Sequence, residues 1–100
     1  MTTTTDGLAI TRHAQTRLQQ RGFQFDELEM IIRYGQPYYA GANPTPTKAY
    51  WFTHRCLQLV NTPEQHEHLA NAAVVMTDDG EIVTVYHVRK RPRHWKPARH

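Results

Sequence analysis

The chain has no apolar run approaching the about 20 residues that a membrane-spanning helix needs, which excludes such a helix. A single cysteine, Cys56, excludes a disulfide within the chain and suits a reducing compartment; it reads as a small buried hydrophobe. The opening "MTTTTDG" has neither a basic nor an apolar leader region, so the expected location is the cytoplasm, away from membranes. Also missing are a glycine-rich phosphate loop, a nucleophile elbow and any recognised metal-ligand spacing. "HEH" at 66–68 sets two imidazoles two residues apart with no third ligand at a known spacing. The expectation is therefore no metal and no cofactor.

Acids are absent after Glu81, and this makes the net charge of +3 misleading. Six of the twelve Lys and Arg residues fall in the last twelve positions: Arg89, Lys90, Arg91, Arg93, Lys96 and Arg99. The remainder holds six basic residues against nine acidic ones, a balance of −3. A basic tail on a mildly acidic body attracts a polyanion or an acidic protein, although it also fits a tail kept soluble by charge. One hundred residues, 39% apolar and 21% charged, make one globular domain with a small core. The organisation expected is a flexible N-terminus at 1–9, one domain over 10–88 and a basic tail over 89–100.

Helical signals come first. Thr11 is an N-cap candidate, Arg12 to Arg21 contain no Gly or Pro, and Gly22 offers a left-handed stop. Ala14 and Leu18 face a core, while His13, Arg17 and Arg21 occupy a neighbouring stripe. Asp26 is a second N-cap candidate, followed by acids in the first turn, the apolar Leu28, Ile31 and Ile32, and a stop at Gly35. Strand signals follow. "GQPYYAG" reads as extended and "ANPTP" as a loop, and strands are expected over 48–54 and 55–61. Thr62 would cap a helical turn opened by Pro63. Residues 71–77 and 81–88 form a hairpin around "DDG", with Gly80 at a position of positive φ. Strict alternation sends Ile82, Thr84, Tyr86 and Val88 to one side and Val83, Val85 and His87 to the other. The fold class is α+β: two N-terminal helices packed on one face of a mainly antiparallel sheet of three to four strands, the other face open.

Basic, imidazole and phenolic groups without a carboxylate pair suit metal-free cleavage of RNA. The 2′-hydroxyl must lose a proton, the departing 5′-oxygen must gain one, and the phosphorane charge must be stabilised. His13 and Arg17 on the first helix would converge with Tyr86 or His87 on the last strand, provided that the helix lies at the sheet edge. Bracing the helix against the sheet is the structural alternative for His13 and Arg17. Tyr38, Tyr39, Tyr50, Trp51 and Trp95 would stack on unpaired bases, or else fill the core.

"HAQTRLQQRG" resembles the HAxxRxxxRG opening of the bacterial domain-of-unknown-function family 4258. "AAVVMTDDGEIVTVYHVRKRPRHW" is similar to that family's closing hairpin and its polar, Trp-bearing tail. The family is grouped with RelE/ParE-like toxins and related small ribonucleases. The resemblance implies two helices on a curved antiparallel sheet, with an active site beside the first helix. By motif it assigns His13, Arg17 and Arg21 from the opening and Thr84 and Tyr86 from the late strand; RelE-type nucleases rely on several Lys and Arg along central strands, and here Lys48 and Arg55 are the only such residues.

These readings combine into an expected ribonuclease-type toxin. His13, Arg17, Tyr86 and His87 would be its catalytic residues. RNA would be held by Arg21, Lys48, Arg55, Thr84, Arg89, Lys90, Arg91 and Arg93. The expected partners are RNA, including ribosome-bound mRNA, and an acidic antitoxin. A non-catalytic nucleic-acid-binding module and a ParE-like inhibitor of a protein target are the rival readings.

Overall fold

The structure, a computed structural model, describes residues 2–5, 8–41, 46–60 and 63–98. Strands β1 (Thr2–Thr5) and β2 (Leu8–Thr11) precede helices α1 (Arg12–Arg21) and α2 (Phe25–Tyr34). Strands β3 (Gln36–Gly41) and β4 (Thr47–Phe52) lead to a short helix, α3 (His54–Leu57), and two 3-10 turns, Pro63–Gln65 and Glu67–Leu69. The chain ends with β5 (Ala72–Thr77), β6 (Glu81–His87) and β7 (Lys96–Pro97). No helix among the described residues is long and apolar enough to cross a membrane.

The α+β class and the two helices on a sheet agree with the expectation; the strand count does not. One seven-stranded sheet runs β1-β2-β6-β5-β4-β3-β7, and it is mixed because β2 pairs with β6 in parallel. The extra strands come from the ends of the chain. Residues 2–5 pair with β2, and Lys96–Pro97 pair with β3, so both segments expected to lie outside the domain contribute strands.

The tail also closes the sheet face that was expected to stay open. Helices α1 and α2 cover one face, where Ile10, Leu28, Ile31, Phe52, Val74 and Ile82 are fully buried. On the other face Tyr38, Ala49, Ala73, Val75, Val88 and Trp95 form a second cluster. Trp95 is 2% exposed, and its ring packs against Tyr38 and Trp51 with centroids 5.8 and 6.2 Å away. A large aromatic group gains more by leaving water than the intervening polar residues lose by following it.

Local chemistry explains the helix boundaries. Thr11 accepts the Ala14 N–H at 3.1 Å, and Gly22 adopts φ 71° with its N–H on the Leu18 and Gln19 carbonyls. Helix α2 starts earlier than expected. Gln24 is the N-cap in place of Asp26, because the Glu27 carboxylate reaches back to accept the Gln24 N–H at 2.9 Å. Gly35 ends α2 in an extended conformation, φ −69°; a Cβ there would collide with the Ile31 carbonyl and press on the Trp51 backbone.

Two strand expectations fail for identifiable reasons. Of the strand expected over 55–61, the described residues 55–60 form none: Cys56, Leu57 and Val60 are buried while Gln58 and Leu59 are exposed, a helical spacing of one and four rather than an alternation. In β6 the register shifts, with Thr84 opposite Val75 but Ile82 opposite Met76, so Val83 is an inserted bulge residue. Ile82 and Val85 therefore join the helix-side core, and Val83 and Tyr86 the tail-side cluster. The "ANPTP" loop, apart from Pro46, and the Thr62 cap lie outside the described residues.

Candidate active site

Helix α1 packs on β6 with Ala14 and Leu18 buried, which leaves His13 and Arg21 exposed and Arg17 half-buried. The three project from successive turns, about 6 Å apart along the axis. Among the described residues the carboxylate contacts to basic side chains are those of Glu27 with two histidines, so neither arginine is neutralised by a described carboxylate.

Beyond Gly22 the chain enters α2, and there the structure assembles a cluster that the sequence did not reveal. Glu27 is 4% exposed. Its Oε1 accepts the Gln24 N–H, and its Oε2 meets His68 Nε2 at 2.6 Å and His66 Nδ1 at 3.3 Å. The second nitrogen of each imidazole, Nε2 of His66 and Nδ1 of His68, has no hydrogen-bond partner among the described residues. Both histidines and Glu27 line an open cavity of about 360 Å³, together with Gly22, Gln24, Asp26 and Gln65. Gly22, which follows Arg21 directly at the end of α1, is one of these lining residues.

The cluster is braced from below. Phe23, 5% exposed, lies against His68 and His87 with ring centroids 6.0 and 5.4 Å away. His87 Nε2 donates to the His68 carbonyl at 2.9 Å, since a carbonyl oxygen only accepts. One carboxylate thus orients two imidazoles while each keeps a free nitrogen, the arrangement by which a carboxylate holds a histidine for proton transfer. No group of three or more His, Cys, Asp or Glu among the described residues is arranged to hold a metal ion.

The structure divides the remaining expected residues. His87 lies on the helix side of β6, whereas Tyr86 packs with the tail-side cluster, so these neighbours do not serve one site. Burial pushes the Tyr86 phenol above its ordinary range, which disfavours the phenolate. Thr84, opposite Val75, shares the Tyr86 face. Lys48 lies 5.8 Å over the Tyr39 ring and Arg91 5.6 Å over Tyr38, both cation–π contacts. Arg55 and Arg89 line a cavity with Trp51 at the end of β4. Lys90 and Arg93 are exposed. Arg99 is outside the described residues. Of the residues named for RNA, none lines the Glu27 cavity; Arg21 directly precedes Gly22, which does.

One signal of the cluster was readable: Gln24 and Glu27 have the spacing of a capping pair. "HEH" offers no third ligand in sequence, but the bend at His66 and the 3-10 turn Glu67–Leu69 bring both rings to one glutamate, 39 residues before His66.

The fold and site define a small α+β domain with a basic helix and a buried carboxylate–imidazole cluster on the same side of its sheet. The chain belongs to the family described as a domain of unknown function, DUF4258, whose profile matches residues 10–87. That span holds α1, Glu27, both cluster histidines and His87, and it excludes Trp95. No curated protein and no solved structure matches the chain.

Proposed function

We propose that this domain is a metal-independent ribonuclease of the RelE/ParE-like toxin type, acting in the cytoplasm, with its acid–base chemistry at the Glu27–His66–His68 cluster. The observation that carries the reading is one buried carboxylate orienting two imidazoles in an open cavity at the end of a helix whose arginines pair with no described carboxylate. In the proposed reaction one imidazole takes the proton of the RNA 2′-hydroxyl. The 2′-oxygen attacks phosphorus and forms a cyclic phosphate. The departing 5′-oxygen takes a proton from the second imidazole in its protonated form. Arg17 and Arg21 hold the phosphate oxygens and oppose the charge that develops on them, and His13 extends the same contact surface. Tyr86 has no part in this chemistry, because it belongs to the opposite face. An acidic antitoxin covering the α1 row is the expected protein partner.

The test is cleavage of a fluorescently labelled RNA by wild type and by His66→Ala, His68→Ala and His13→Ala, with and without ribosomes. Loss of one proton-transfer group is expected to slow cleavage about 100-fold or more, with a smaller effect at His13. Undiminished cleavage by both cluster variants would overturn the site, and no cleavage by wild type under either condition would overturn the activity.

A further inference from the structure

A separate cavity, of about 470 Å³, opens at the end of β4, lined by Gln36, Trp51, Thr53, His54, Arg55, Asn71 and Arg89. Alternation along β4 puts Phe52 in the helix-side core and Trp51 on the tail side. The Trp51 ring is held in place: its Nε1–H donates to the Val88 carbonyl at 2.9 Å, and Trp95 meets it at 81° with centroids 6.2 Å apart. Asn71, at φ 70°, ties the neighbouring strands together. Its N–H donates to the Phe52 carbonyl, and its own carbonyl accepts the Val88 N–H, both at 2.7 Å. These bonds fix the end of β4, the start of β5 and the end of β6 relative to one another. As a result Arg55 from α3 and Arg89 from beyond β6 line the same cavity as the indole. Both arginines are exposed, and neither pairs with a described carboxylate.

A half-buried indole of fixed orientation beside two unneutralised guanidinium groups matches a ligand with a planar aromatic part and a phosphate. The cavity volume falls within the range of small-ligand sites. We propose that it is a nucleotide subsite for single-stranded RNA, in which a base stacks on Trp51 and its phosphate pairs with Arg55 and Arg89. The proposal rests on the RNA reading above but not on cleavage. Arg89 lies two residues past His87, whose ring bonds the His68 carbonyl.

The experiment titrates the full chain with adenosine 5′-monophosphate, adenosine, inorganic phosphate and a 2′-O-methyl oligoadenylate that cannot form a cyclic phosphate. Binding is read by tryptophan fluorescence and calorimetry. Trp95 is buried, so Trp51 is the indole available for quenching. The monophosphate and the oligonucleotide are expected to quench, adenosine more weakly and phosphate not at all. Arg55→Ala/Arg89→Ala is expected to weaken nucleotide binding at least tenfold. Trp51→Phe should remove the quench and reduce calorimetric affinity. Binding indifferent to the double arginine variant would overturn the subsite and leave the ribonuclease reading standing. Binding that follows those arginines in a protein unable to cleave RNA would support the subsite while the ribonuclease reading fell. No binding of either nucleotide at millimolar concentration would overturn the proposal.

Discussion

Replacing Glu27 separates its structural work from its proposed chemistry. Glu27→Ala removes the acceptor of the Gln24 N–H, a capping interaction of about 1 kcal/mol. It also removes both imidazole contacts. Fully buried charged hydrogen bonds contribute about 1.5–3 kcal/mol each. Here the His66 and His68 side chains are 19% and 46% exposed, so the two together are discounted to about 1 kcal/mol. Truncating the buried stem and leaving a small void adds about 1 kcal/mol. The total is about 3 kcal/mol, or about 12–24 °C in Tm for a domain of this size. Glu27→Gln keeps the stem and the capping acceptor and exchanges only the charge, so its expected cost is about 1 kcal/mol. Urea unfolding of the three proteins, with midpoints compared at equal slope, measures both differences. A loss below about 1 kcal/mol for Glu27→Ala, or an equal loss for both variants, would refute the reasoning.

Two further outcomes follow from the tail-side cluster. Trp95→Ala should cost about 3–5 kcal/mol in the same unfolding assay, because it empties the centre of that cluster and frees the segment carrying β7. Tyr86 governs behaviour at high pH: its phenol titrates near 10 in the unfolded chain and higher in the folded one. Between those two values the folded state holds more protons, so stability is complete below about pH 10 and falls as pH rises toward the folded value. Tyr86→Phe should therefore lose less stability than wild type between pH 8 and alkaline pH; an equal loss in both would remove Tyr86 as the cause.

Much of the first helix was legible because its signals are local. Thr11, Gly22 and the Ala14–Leu18 spacing act within one or two turns, and they alone set the boundaries of α1 and the row His13, Arg17 and Arg21. The β5–β6 hairpin was legible for the same reason, with Gly80 at φ 94° in the connection. What the sequence by itself did not determine depends on partners distant along the chain. Strict alternation cannot place an inserted residue, and the bulge at Val83 decides which face Ile82 and Val83 take. The charge pattern marked the tail as basic, yet burial of Trp95 against Tyr38 and Trp51 makes it part of the fold. Nothing in the spacing of Glu27, His66 and His68 joins them. Only the packing of α2 beside the 3-10 turns gives a buried carboxylate two imidazoles to hold, and the tertiary structure thereby selects which of seven histidines form the candidate site.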